Sequence, residues 1–161
     1  MAAVEVPAGS QLARYREQGA YTDCFVALVD RPVTLSQYLA AFYNSRAFRP
    51  ERWVIGALLH RPAGSDEVAA LAEGRTQAFS AWTVEARAKH EILLCDFKQR
   101  TRSWLMVVPM GNGTQLRFGS AVMPQASRLD RMIFAALTGV HRCYSRCLLR
   151  SAAASLAAEL R

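Results

Sequence analysis

The chain has 161 residues, 52% of them hydrophobic and 20% charged, with 20 Lys and Arg against 13 Asp and Glu for a formal net charge of +7. That length fits one domain with its own core, needing neither disulfide nor metal staples, and the composition excludes a disordered tail. No apolar run reaches the roughly 18 residues of a membrane span, so none is expected.

The positive charge is almost all arginine, with only Lys89 and Lys98 as lysines. It is scattered from Arg14 to the C-terminal set without a block of like charge. Such a balance permits an anionic partner without requiring one, and no nucleic-acid partner is expected. Residues 1–19 have no basic segment followed by an apolar stretch, and Glu5 breaks the short apolar start. They read as an N-terminal extension to a single domain over 20–161, and the cytoplasm is the expected compartment. Cys24 and Cys95 sit in apolar, strand-like runs as small hydrophobes. Cys143 and Cys147, four apart beside His141, match no standard zinc spacing, so neither a metal nor a cofactor is expected.

Residues 20–29 predict a strand closed by Asp30-Arg31-Pro32. Thr34 and Gln37 form a capping-box pair ahead of a helix whose Leu35, Tyr38, Leu39 and Phe42 share one face. A second helix is expected from Pro50 through Trp53 to about His60, and a third from Ser65, as its cap, to Gly74. The period then changes. Residues 79–87, 90–97, 102–109 and 115–123 are strand-length runs, and Gly111-Asn112-Gly113 is a hairpin signal in which Asn-Gly supplies positive φ angles. The four make an antiparallel meander. A long helix over about 129–160 closes the chain, with Leu129, Ile133, Leu137, Val140, Tyr144 and Leu148 as its apolar stripe and Arg142, Arg146 and Arg150 on a solvated face. The fold class is α+β, strand, helices, four strands, helix: a curved antiparallel sheet wrapped around the C-terminal helix.

Tyr21-Thr22-Asp23-Cys24-Phe25, Glu91-Ile92-Leu93-Leu94, Arg100-Thr101-Arg102-Ser103-Trp104-Leu105, Phe118-Gly119-Ser120-Ala121-Val122 and His141-Arg142-Cys143-Tyr144-Ser145-Arg146 follow one another in that order. In this pattern the chain resembles the START-like helix-grip superfamily (SRPBCC, polyketide-cyclase-like), and within it a bacterial branch formed by a domain of unknown function. The resemblance covers about residues 21–153. It implies an apolar cavity between sheet and C-terminal helix.

Site candidates follow from assumed pairings. With Phe97 opposite Thr101, Asp96 faces Arg102, Leu94 faces Trp104 and Ile92 faces Met106. Arg102 is then either the polar anchor of a cavity, receiving a carboxylate or phosphate, or half of a rim ion pair with Asp96. A turn centred on Asn112-Gly113 puts Trp104 level with Ala121 and Met106 with Gly119, whose missing side chain leaves space. Trp82, Val84 and Ala86 alternate against Thr83, Glu85 and Arg87, and each tryptophan, if buried, needs a partner for its N–H. His141 flanks the helical stripe near Tyr144, as a half-buried residue or a proton shuttle. The expectation is a protein, not in the first instance an enzyme, that binds a small apolar or amphipathic molecule through Trp82, Trp104, Met106, Gly119, Tyr144, Arg102, Asp96 and His141. The alternatives are a small cyclase- or hydrolase-like enzyme using Asp96, Glu85 or His141, and a cavity-less homodimeric interaction module.

Overall fold

The computed structural model describes residues 1–45, 48, 64–123 and 128–158, with the backbone alone for 128–138. The expected helix from Pro50, with Trp53, lies outside the described residues. In chain order the elements are β1 (Ala2–Ala3), α1 (Ala13–Glu17), β2 (Tyr21–Val29), α2 (Leu35–Tyr43), α3 (Ser65–Ala72), β3 (Ala78–Phe79), β4 (Trp82–Arg87), β5 (Glu91–Asp96), β6 (Thr101–Met110), β7 (Gly113–Val122) and α4 (Arg128–Ala158). The strands form one open antiparallel sheet of seven in the order β1-β2-β7-β6-β5-β4-β3. The fold is α+β with a meander and a long C-terminal helix. Two short elements, β1 and α1, have no counterpart in the sequence reading, and residues 79–87 are not one strand, because the backbone reverses at Ser80 (φ +52°) to pair β3 with β4.

Local chemistry explains the helix ends. Thr34 accepts from the Gln37 backbone N–H at 3.2 Å, and the Gln37 side chain accepts from the Thr34 N–H at 2.9 Å, completing the capping box. The cap of α3 is Gly64 rather than Ser65, with Asp66 and Glu67 in the first turn, where negative charge meets the positive helix end. Gly74 takes φ +76° after its last turn, with Gly74 N donating to Leu71 O and Arg75 N to Ala70 O, a Schellman closure. Arg87 then donates to the Leu71 and Ala72 carbonyls at 2.6 Å each, tying α3 to β4.

Two registers differ from the expected ones. The β6–β7 turn has Gly111 (φ +60°) and Asn112 at its centre, with Met110 opposite Gly113. Gly111 alone takes the positive φ, the pattern of a type II′ turn, so the centre lies one residue earlier and every pairing moves by two: Trp104 faces Gly119 and Met106 faces Arg117. The β5–β6 loop is one residue longer than assumed. Gln99 adopts φ +57°, and Asp96 Oδ1 accepts from the backbone N–H groups of Arg100 (2.7 Å) and Thr101 (2.9 Å). Cys95 therefore faces Arg102, Leu93 faces Trp104 and Ile92 faces Leu105, a slip that exchanges the faces of the partners. In β4 a bulge between Val84 and Ala86 breaks the assumed alternation. Trp82 and Val84 pack on the helix-facing core and Ala86 on the other face.

The sheet is buried on both faces. On the helix face Phe25, Ile92, Leu94, Leu105, Val107, Leu116 and Phe118 pack against α2, α3 and α4. On the outer face Cys24, Leu93, Trp104 and Ala121 are covered by Val6, Leu12, Ala13 and Tyr15 of the N-terminal extension. Among the described side chains of α4, Ser145, Leu148, Leu149, Ala152 and Leu156 are buried, whereas Val140 is 65% exposed and leaves the expected stripe. Arg142, Arg146 and Arg150 are exposed, as expected. Among the described residues no helix is long and apolar enough to cross a membrane.

Candidate functional site

The helix face of the sheet changes character along the strands. One row across it is Phe25, Phe118, Leu105 and Ile92, each opposite the next. Two residues further along, the row becomes Asp23, Ser120, Ser103 and Leu94, and after that come Thr101, Asp96 and Trp82. The helix residue above is Ser145, also buried. Serine side chains are too short to fill the roughly 10 Å between a sheet and the layer packed on it. The result is a cavity of about 300 Å³ bounded by Phe42, Tyr43, Phe48, Ala81, Trp82, Asp96, Phe97, Phe118, His141, Tyr144 and Leu148, with Ser103 and Ser120 on its floor. That volume is at the small end of ligand pockets, which run from about 300 to 1,000 Å³.

Its walls are stiff. Tyr43 packs edge-on against Phe42 at 5.2 Å and Phe48 at 5.0 Å, and Phe42 stacks tilted on Phe118 at 4.8 Å. Such pairs hold aromatic rings at fixed angles beyond what area alone would give.

The floor is polar and ordered. Ser120 Oγ donates to Asp23 Oδ1 at 2.7 Å, and the Ser120 backbone N–H donates to the same oxygen at 3.1 Å. His141 Nε2 lies 2.8 Å from Ser120 Oγ and 3.6 Å from Asp23 Oδ2. A hydroxyl carries one proton. Ser120 gives its proton to Asp23, so it accepts from His141 Nε2–H, and a neutral His141 then carries its lone pair on Nδ1. This is not the arrangement of a serine nucleophile, in which the carboxylate sits behind the imidazole and the imidazole accepts from the serine. Across the cavity, Trp82 Nε1 is buried with no hydrogen-bond partner among the described residues.

Five of the expected site residues border this space: Trp82, Asp96, Arg102, His141 and Tyr144. Asp96 does so with one oxygen committed to its own turn. Arg102 does not serve as an anchor. Its guanidinium lies on the outer face, donating through Nε to Glu85 (2.8 Å) and Tyr15 (3.0 Å) and through Nη1 to the Gln99 carbonyl (2.6 Å). Burial works against its charge, but the Tyr15 hydrogen bond and the charges of Cys95, Tyr15 and Glu85 outweigh it and raise its pKa above the ordinary arginine value. Asp96 is not its ion-pair partner; Glu85 is, and Glu85 also binds Arg14 and Tyr15.

Trp104, Met106 and Gly119 are absent from the cavity. Trp104 and Gly119 face each other under the N-terminal extension, and the Trp104 indole donates to Glu91 Oε2 at 2.7 Å. The space at Gly119 is already taken: a Cβ there would come within 2.7 Å of both the Asp23 carbonyl and Leu12 Cδ2. Glu85 and Asp96 are on opposite faces and cannot act as an acid–base pair. Cys143 and Cys147 are exposed while His141 turns inward, and among the described residues no three metal-ligating side chains gather.

The sequence reading missed Asp23, Ser103, Ser120 and Ser145. The available signal was their placement: three serines and an aspartate at inward positions of otherwise apolar strands and of the final helix. Buried polar groups of this kind need partners, and their clustering marks a site. Compared with models of known protein families, with curated proteins and with solved structures, the chain matched none.

Proposed function

We propose that this chain binds a small, uncharged, mostly apolar molecule between the sheet and α4, in a fold of the START-like helix-grip type. The observation that carries this reading is the cavity bordered by Ser103, Ser120 and Ser145 and walled by aromatic rings. The charged groups at the border point to a neutral ligand. The Arg102 guanidinium is held by Glu85, Tyr15 and Gln99, one Asp96 oxygen is held by its turn, and His141 is beside Asp23. A carboxylate or phosphate would meet no uncommitted cation among the described residues that line the cavity, and burying an unpaired charge is strongly disfavoured.

Native mass spectrometry of gently purified protein, followed by denaturing extraction, tests the reading. The expected result is a retained neutral molecule that is lost in Ser145→Phe, where a phenyl ring fills the cavity. Retention of the same molecule by Ser145→Phe, or an anionic molecule retained in its place, overturns it.

A further inference from the structure

We infer that the cavity is a proton-transfer site, in which His141 Nδ1 removes a proton from the carbon next to a ligand carbonyl while the Ser103 hydroxyl donates to the carbonyl oxygen; this rests on the ligand-binding reading above. The Asp23–Ser120 hydrogen bond settles which imidazole nitrogen is the base. Because Ser120 spends its proton on Asp23, His141 donates through Nε2, and Nδ1, with no partner among the described residues, keeps the lone pair. When Nδ1 takes a proton, the imidazolium that forms lies 3.6 Å from the buried Asp23 carboxylate. That charge is aimed at the state the reaction creates. Ser103 stands directly opposite Ser120 in the sheet, lines the same cavity and makes no hydrogen bond among the described residues. Cross-strand neighbours hold their Cβ atoms about 5 Å apart, so the Ser103 hydroxyl stands beside Ser120, the residue that holds the imidazole.

The step balances without a co-reactant. The C–H bond breaks, its electron pair forms the C=C bond of an enolate, the carbonyl π pair moves onto oxygen, and the proton resides on Nδ1. Return of the proton to the same carbon gives exchange, and return to a conjugated carbon gives an isomer. The substrate class is therefore an enolisable ketone of roughly bicyclic size. Asp23 and Ser120 are positioning residues.

The titratable groups facing this region, among the described residues, are Asp23 and Tyr21 on β2, Tyr43 on α2, Arg142 and Tyr144 on α4, and Asp96 across the cavity, with the Arg102 guanidinium on the outer face; of these, Asp23 alone forms an ion pair with His141.

The test uses the full chain and 2-tetralone in deuterated buffer, following loss of its α-protons by NMR, with saturation-transfer difference to report binding. The expected result is saturable exchange, lowered at least about tenfold in His141→Gln with binding retained. Ser103→Ala lowers it as well with binding retained, because the carbonyl oxygen loses its donor. Binding without accelerated exchange, or unchanged exchange in His141→Gln, overturns the proton-transfer inference and leaves the binding reading standing. Absence of both binding and exchange overturns both. If His141→Gln does not bind, Ser103→Ala decides, and unchanged exchange there counts against the inference.

Discussion

On the outer face of the sheet the indole of Trp104 gives its N–H to Glu91, and Glu91 also accepts from the Gln11 backbone, while Arg102, Glu85, Tyr15 and Arg14 close on one another. On the helix face the indole of Trp82 finds no acceptor among the described residues, and Ser103 lines the cavity. The same residue types are thus spent differently. Under the N-terminal extension they satisfy each other and hold a segment of chain in place. Beneath α4 they surround empty space. A buried aromatic or charged residue read from sequence is ambiguous between these roles, and the presence or absence of an internal partner separates them.

The contrast can be broken most forcefully at the two tryptophans. Trp104 is fully buried, so Trp104→Ala is expected to cost about 3–5 kcal/mol in denaturant unfolding and to leave Glu91 without its donor. Trp82→Phe is expected to cost far less and to weaken ligand retention instead. Equal stability losses would mean that the two faces do not differ as described. Gly119→Ala comes next. Its Cβ would meet a backbone oxygen at 2.7 Å, and the expected loss is about 2–3 kcal/mol with ligand retention unchanged, since the clash lies on the sealed face. Arg102→Met follows at about 2 kcal/mol, from lost charge-assisted hydrogen bonds, again with retention intact. A loss of ligand with little loss of stability would return Arg102 to the role of anchor.

An effect of similar size is expected as a pH dependence. Burial pushes the Cys24 thiol on the outer face from 9.0 up to about 11. Between those values the unfolded chain has released the proton and the folded chain still holds it, so stability is full below about pH 9 and falls as pH rises toward 11. The loss reaches about 2 kcal/mol by pH 11. Thermal melting across that range is expected to show it in the wild type and to lose it in Cys24→Ala.

Much of the fold was legible because it is written in local patterns. The Thr34–Gln37 capping box, the closure of α3 at Gly74, the apolar face of α2 and the hairpin near Asn112 each depend on a few neighbouring residues whose backbone needs are fixed by their own chemistry. The site was legible only in part. Trp82, Tyr144 and His141 were expected in the cavity and border it, while Trp104, Met106 and Gly119 were assigned to the wrong side. That error follows from loop geometry. One residue more in the β5–β6 loop and a turn centred on Gly111 rather than on Asn112 decided which side chains share a face.

By itself, then, the sequence determined the α+β class, the meander, the helix caps and the long final helix, because period, capping and turn chemistry act over a handful of residues. Only the tertiary structure decided that residues 1–19 seal the outer face, that Arg102 turns away from the cavity, and that Asp23, Ser120 and His141 meet. Those facts depend on register and on pairings between residues almost a hundred positions apart, such as Asp23 with Ser120, where a shift of one residue moves a side chain to the opposite face of the sheet.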